Sequence, residues 1–413
     1  METLVERCAG LDVHKDSVAA CVRVPDCAGG RQQVIQTFGT TTADVLALRD
    51  WLAAYGVTVV GMEATGVYWK PVYYLLEDAF ECRLFNARHL RNVPGRKTDV
   101  ADAAWICQLL EHGLVRPSFV PPKAIRELRN LTRYRTAQVE ERTREAQRLD
   151  KVLQDAGIKL SSVASEVLGV SSRAMLQALV EGTRDPAILA ELAKGALRKK
   201  LPQLRLALAG RFGAHHALLV GTILAKLDFL DEAIAALSAE IEATTRPFAA
   251  EIDLLRTIPG VDRRTAEGLV AEIGVDMTRF GAPGRLASWT GMCPGNNESA
   301  GKRGRGTTRK GSKWLRAYLR QAAKAAGRTK ATYLAAQYAR LRGRRGPAKA
   351  TVAVGHSIIV AMYYMLTRRQ PYRDLGPDYF SRRHSREHHA RRLARQLQAL
   401  GYKVTLQSVE EAA

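Results

Sequence analysis

Four carboxylates in the first quarter of the chain have the types and spacing that divalent-metal chemistry requires. Asp12 lies in Gly10-Leu-Asp-Val-His-Lys-Asp16, within a β-rich run; Glu63 follows the apolar run Val57 to Met62; Asp99 and Asp102, three apart at a helix start, share one face. Mg²⁺ (or Mn²⁺) takes oxygen ligands and few carboxylates, leaving positions for water and phosphate. Two such ions stabilise the entering and leaving oxygens of an in-line phosphoryl transfer. Each acid alone has a plainer reading, and an Asp at a helix start, such as Asp99, is ordinarily a cap. Acids at a first strand, a later strand end and a later helix together suit one shared site, which that reading does not explain.

A second set lies between Cys293 and Ser312, a glycine- and arginine-rich loop leading into a helix. Its glycines let backbone approach a phosphate, and Lys302, Arg303, Arg305, Arg309 and Lys310 can neutralise one, with Lys313 and Arg316 extending the charge into the helix. Ser299, followed by the small Ala300 and Gly301, has an accessible hydroxyl. It is a nucleophile or an ordinary turn residue, and the residues alone leave both open. Ser312 reads as a helix cap.

The elements that must position these residues change character along the chain. Cys8 to Val24, Gln33 to Phe38, Val57 to Met62 and Cys82 to Asn86 read as strands, interleaved with helices over Thr42 to Tyr55, Gly66 to Phe80 and Val100 to Leu110. This predicts a helix-covered sheet with ligands at strand ends. Beyond Pro121-Pro122, Ala124 to Ala156 is one helical stretch with a polar, basic middle (Arg133, Arg135, Glu140, Glu141, Arg142, Arg144). Val220, Ile223, Leu227, Leu230, Ile234, Leu237 and Ile241 form a heptad seam, for a coiled coil that self-associates or for an intramolecular bundle. Leu255 to Val261, then Thr265-Ala266 and Leu269-Val270, resembles a helix-hairpin-helix element. Asp262 stands where such hairpins usually have a second glycine, and its carboxylate would repel a phosphate, so the hairpin contacts DNA or is purely structural.

Composition narrows the partners. The 413 residues carry a net charge of +22, and the excess is concentrated: residues 1–299 hold 37 basic and 36 acidic residues, residues 300–413 hold 26 and 5. Such a block is an electrostatic footprint for a polyanion, nucleic acid first. The longest apolar run, Thr351 to Leu366, contains His356 and precedes Arg368 and Arg369; it reads as a buried helix, with no membrane partner. The acidic start does not fit a signal peptide, so a cytoplasmic location is expected. Six cysteines without a Cys-x-x-Cys pair indicate neither a zinc site nor a disulfide framework.

These motifs in this order resemble the insertion-sequence transposases that join a RuvC-like Asp-Glu-Asp-Asp domain to a serine-bearing C-terminal domain. They are Gly-Leu-Asp-Val-His-Lys, Met-Glu-Ala-Thr-Gly, Lys-Thr-Asp-Val-Ala-Asp-Ala, Ile-Pro-Gly-Val, Leu-Ala-Ser-Trp-Thr-Gly-Met-Cys-Pro-Gly and Glu-Ser-Ala-Gly-Lys, over roughly residues 5–370. The resemblance implies a recombinase of DNA that works as a homo-oligomer (dimer or tetramer), uses a structured guide RNA, and takes Asp12, Glu63, Asp99 and Asp102 as its acidic tetrad and Ser299 as its nucleophile. Ala300 departs from the Ser-Gly that follows the serine in many members. The expected architecture is a RuvC/ribonuclease H-like α/β domain (1–120), a helical coiled-coil domain (121–250), a mostly α serine transposase domain with the helix-hairpin-helix-like element (251–370) and a basic tail (371–413). Three other classes compete. A RuvC-type nuclease would use the tetrad on water with Ser299 structural, a non-enzymatic nucleic-acid-binding protein would use only the basic tail, and an actin-like sugar kinase leaves Asp99, Asp102 and the tail without a role.

Overall fold

The computed structural model describes residues 2–26, 29–87, 90, 101–294, 298–299, 301–303, 307–308, 310–382 and 386–406. They form two compact units, Met1–Val120 and Pro121–Ala413.

In the first unit the β-rich run from Cys8 is a hairpin. The His14 N–H donates to the Ser17 carbonyl (2.9 Å), and β1 (Cys8–Val13) turns back onto β2 (Val18–Pro25) in antiparallel register. β3 (Arg31–Phe38) pairs antiparallel with β2; β4 (Val59–Glu63) pairs parallel with β1 and β5 (Glu81–Phe85) parallel with β4, giving the order β3-β2-β1-β4-β5. Strand alternation sorts the side chains between two layers. Ala9, Leu11 and Val13 of β1, with Val60 and Met62 of β4, bury against α1 (Thr42–Ala54) and α2 (Trp69–Leu76). Cys8, Gly10 and Asp12, with Val59, Gly61 and Glu63, belong to the face covered by α3 (Ala101–Glu111).

Two glycines let α3 lie close to the strands. A Cβ at Gly10 would stand 2.3 Å from the Ala103 carbonyl oxygen and 2.4 Å from the Cys107 nitrogen, and one at Gly61 would stand 3.1 Å from Leu110 Cδ2 and 3.4 Å from Ile106 Cγ2 of α3. The far end of α3 is fixed by charge. Glu111, completely buried, sits between Arg23 Nε (2.8 Å) and Arg31 Nε (2.6 Å). A buried carboxylate is tolerable only with such partners.

The second unit is helical over most of its length. α4 (Lys123–Asp155) runs antiparallel to a later helix of 31 residues, Ala214–Thr244. Arg142 pairs with Asp231, Lys226 with Glu141 (3.1 Å) and Glu145, and His216 with Asp155 (3.0 Å). Between the two, short helices and α5 (Val170–Val180) close the end of the pair around Leu149, Leu153, Leu176, Leu204 and Leu227. With the Ala214–Thr244 helix as α6, the heptad seam turns inward onto α4. Val220, Leu227, Leu230 and Ile241 are buried and Ile223, Ile234 and Leu237 half-buried.

α7 (Ala249–Arg256), a tight turn and α8 (Arg263–Ile273) follow, then α9 (Pro283–Trp289), α10 (Lys313–Ala326), α11 (Tyr333–Arg345), α12 (Pro347–Arg368) and, in the basic tail, α13 (Arg386–Ala399). Asp262 is the N-cap of α8, its carboxylate accepting the Thr265 N–H at 2.8 Å. Gly260, at φ +86°, faces α10, where a Cβ would meet Ala322 O and Ala326 N at 2.5 and 2.4 Å. α12 is long and apolar enough to cross a membrane by length and composition, yet Val354, Ile358, Ile359 and Met362 are completely buried against neighbouring helices. It is the core helix of this region.

Candidate active site

The register of two parallel strands brings the first two acids together. Leu11 lies opposite Met62 in the last pair of the β1–β4 ladder, so Asp12 and Glu63 follow as neighbours at the carboxyl ends of adjacent strands. Asp102 stands one residue before Ala103, whose carbonyl rests on Gly10, two residues from Asp12 on the same face. Closeness shows in the charge balance. Burial pushes the Asp12 carboxyl up, His14 opposes the shift, and the negative charges of Asp102 and Glu63 add to it. His14 Nε2 lies 3.1 Å from Asp12 Oδ2, and the Thr65 hydroxyl donates to Glu63 Oε1 at 2.8 Å. Asp99 lies outside the described residues.

His14 and Thr65 are contacts that the sequence reading did not single out. The signal was present. Each lies two residues beyond an acid, the spacing at which a strand end returns to the same side.

Ser299 belongs to the second unit, on a separate framework. Glu298–Ser299 (β6) and Lys302–Arg303 (β7) form a short antiparallel hairpin that pairs Ser299 with Lys302, and Gly301 takes φ +75° in the turn. Below the hairpin, Pro294 bridges to Thr308, and Gly311 packs so tightly on Thr290 that a Cβ there would meet its carbonyl at 2.3 Å. The loop root is held by Ser312, which caps α10 by accepting the Leu315 N–H (3.3 Å) and donates its hydroxyl to Glu272 Oε2 (3.1 Å). Glu272 is completely buried and bidentate with Arg133 of α4 (2.7 and 2.9 Å); beside it Arg135 reaches Glu267 at 3.1 Å.

Of the basic residues assigned to phosphate binding, Lys302 and Lys310 are exposed, Lys313 lies 4.8 Å from the Trp314 ring and Arg316 is half-buried in the first turn of α10. Arg305, Arg309 and the side chains of Ser299 and Arg303 lie outside the described residues. The structure thus brings Asp12, Glu63 and Asp102 together in one unit and sets Ser299 beside Lys302 in the other.

A further donor set, absent from the sequence reading, lies where α4 ends and α6 begins. Asp155, His215 and His216 bring a carboxylate and two imidazoles within 4.8 Å of one another, a set capable of coordinating a divalent cation. Its nitrogen-rich chemistry suits a transition metal better than Mg²⁺. As placed, His216 is also a cap: its Nδ1 accepts the Gly213 N–H (3.0 Å), so its proton sits on Nε2 and points to Asp155.

Comparison with known families assigns both halves. Residues 9–158, which contain Asp12, Glu63 and Asp102, match the family model DEDD_Tnp_IS110, described as a transposase. Residues 252–339, which contain Ser299 and the cationic loop, match the model of the transposase IS116/IS110/IS902 family. A search of curated proteins finds no match. The two models occur in order and together span more than half of the 413 residues. Their shared family implies DNA as the substrate and a DNA-modifying catalytic activity. The chain belongs to the IS110/IS116/IS902 family of transposases, with a RuvC-like N-terminal domain.

Proposed function

We propose that the protein is an RNA-guided recombinase of an insertion sequence that cuts and rejoins DNA through a serine nucleophile assisted by the acidic site. The observation that carries this reading is that Asp12 and Glu63 end adjacent strands on the face covered by α3, with Asp102 in the first turn of that helix, which Gly10 and Gly61 hold close.

The donor set is all carboxylate oxygen and its members repel one another, which fits a hard divalent cation. Mg²⁺ or Mn²⁺ held by Asp12, Glu63, Asp102 and Asp99 would neutralise the scissile phosphate and the charge that develops on its entering and leaving oxygens. The protein's own groups do the rest. Ser299 Oγ attacks phosphorus and loses its proton, the phosphorus bond to the leaving deoxyribose oxygen breaks, and that oxygen is protonated; a phosphoserine ester links protein and DNA. A second hydroxyl from DNA reverses the sequence and frees the serine. Lys302, Ser299's partner in the hairpin, with Arg303, Arg305, Arg309, Lys310, Lys313 and Arg316, holds the phosphate by charge. His14 orients Asp12 through their contact.

In this reading residues 1–120 are the RuvC-like catalytic domain, 121–250 a helical arm, 251–370 the serine transposase domain and 371–413 a basic tail for nucleic acid, and the protein acts as a homo-oligomer. Incubating the protein with RNA from the element's flanks, Mg²⁺ and end-labelled donor DNA should give label that migrates with protein on a denaturing gel, lost in Ser299→Ala and in Asp12→Ala. Free cleaved DNA without adduct would instead assign a RuvC-type hydrolytic nuclease. Mixing the Asp12→Ala and Ser299→Ala proteins should restore recombination if protomers share a site.

A further inference from the structure

The serine chemistry leaves unused a cavity of about 640 Å³ in the second unit, between α11, α12 and the strap of residues 370–375 that follows α12. Its volume lies within the roughly 300–1,000 Å³ typical of ligand sites. The chain makes an unusual turn to form it. Arg369, a non-glycine residue, takes the left-handed conformation (φ +52°, ψ +44°) at the end of α12, and the strap then runs back over the helix. The Tyr372 N–H donates to Thr257 Oγ1 (2.9 Å), which ties the strap to the turn between α7 and α8. Left-handed backbone at such a residue costs energy and persists where surrounding contacts hold it.

The lining combines an aliphatic floor, which includes Leu334, Val360 and Met365, with aromatic and cationic side chains. Tyr333, Tyr364 and Tyr372 contribute rings, Arg368 and Arg373 contribute charge, and none of the described lining residues is acidic. Tyr333 is backed by the stacked ring of Phe380, 5.3 Å away at 19°, so that wall is stiff. Tyr364 is 42% exposed, and the Arg368 guanidinium lies 4.8 Å from its ring centre. The nearby carboxylate, Asp374, accepts the N–H groups of Tyr333 (2.9 Å) and Gly376 (2.7 Å), so it is engaged with backbone. Aromatic faces beside arginines with no acid among them suit a π-face attached to a phosphate, which is what an unstacked nucleotide presents.

We infer that this cavity receives one unstacked base of the DNA substrate, which stacks on Tyr364 while Arg368 and Arg373 hold the adjoining phosphates. The inference rests on DNA being the substrate and is independent of the serine step.

The test uses the full chain and a DNA duplex whose intact strand carries 2-aminopurine opposite a one-nucleotide gap, with the fully paired duplex as reference. Binding should quench the gapped probe and leave the paired probe unquenched. Tyr364→Ala should abolish the quench and weaken gapped-DNA binding about tenfold or more, while Tyr364→Phe, which keeps the ring, retains both. Arg368→Ala should weaken gapped-DNA binding at low salt more than at high salt. A wild-type protein that leaves the gapped probe unquenched, or a Tyr364→Ala protein of unchanged melting temperature that still quenches it, would overturn the inference. Quenching of a single-stranded RNA probe but not of gapped DNA would overturn the choice of DNA. Covalent adduct formation is scored separately, so failure of this pocket and failure of the serine reading are distinguishable.

Discussion

At the scale of single residues, Asp12 combines two demands that oppose each other. It must be ionised to hold a cation, yet burial and two neighbouring carboxylates raise its pKa above the ordinary 3.8. A carboxyl whose pKa is raised by folding adds stability below its unfolded value and loses that contribution as pH rises through its folded value. Metal-free protein should therefore melt at a lower temperature than Asp12→Asn at pH 7, and the difference should vanish below about pH 3.8. Adding Mg²⁺ should raise the melting temperature of the wild type, with about 2.7 kcal/mol gained at a hundred times the dissociation constant. The Asp12→Asn protein should gain much less, and a melting series against pH and Mg²⁺ checks both statements. Asp12, Glu63 and Asp102 stood out in the sequence as a set rather than singly, since an acid at one helix start is common but acids at two strand ends and a helix start of one sheet are not. The spacing of His14, two residues beyond Asp12, was equally visible, but it becomes a contact only once β1 ends and its turn is formed.

At the scale of elements, the seating of α3 decides whether the acidic site exists. Gly10→Ala would drive a methyl group into the Ala103 carbonyl, so α3 must lift. Overpacking of this kind costs about 1–3 kcal/mol, and the displaced Asp102 should also lose cation affinity; a urea melt and a Mg²⁺ titration of the same variant measure the two effects. The equivalent support under the serine loop is Glu272. Replacing it with Ala leaves the partly exposed Arg133 guanidinium and the Ser312 hydroxyl without this partner, and losing a hydrogen bond to a charged group typically costs about 1.5–3 kcal/mol, which a urea melt of the variant measures. Strands and helices of the first unit were legible from periodicity, with ends shifted by a few residues (Gly66 to Phe80 narrows to Trp69–Leu76), but the run Cys8 to Val24 divides into two strands at a turn that periodicity did not mark. The partnership of α4 with α8 was hidden. Arg133 and Arg135 look like solvent-facing charge until Glu272 and Glu267, more than 130 residues later, are folded against them. For the same reason the α6 seam left two uses open: an apolar stripe states that it will be covered but does not state by what.

At the scale of the whole molecule, charge is segregated along the chain, with the excess in residues 300–413. Removing residues 383–413 takes away Arg383, Arg386, Arg391, Arg392, Arg395 and Lys403. This should weaken nucleic-acid binding and flatten its dependence on salt by several units of slope. The melting temperature should change little, because among the described side chains of that segment only Ala394 is buried. Salt titrations of the two lengths provide the comparison. One feature of the second unit has a mechanical meaning. α4 is a single rod of 33 residues, about 50 Å long, with one end in the short-helix cluster and the other bolted through Arg133 and Glu272 to the root of the serine loop. Such a rod is a lever: the 20 residues from Leu153 to Arg133 make an arm of about 30 Å, so a tilt of about 5° imposed by whatever grips the cluster displaces the root of the Ser299 loop by about 2.6 Å.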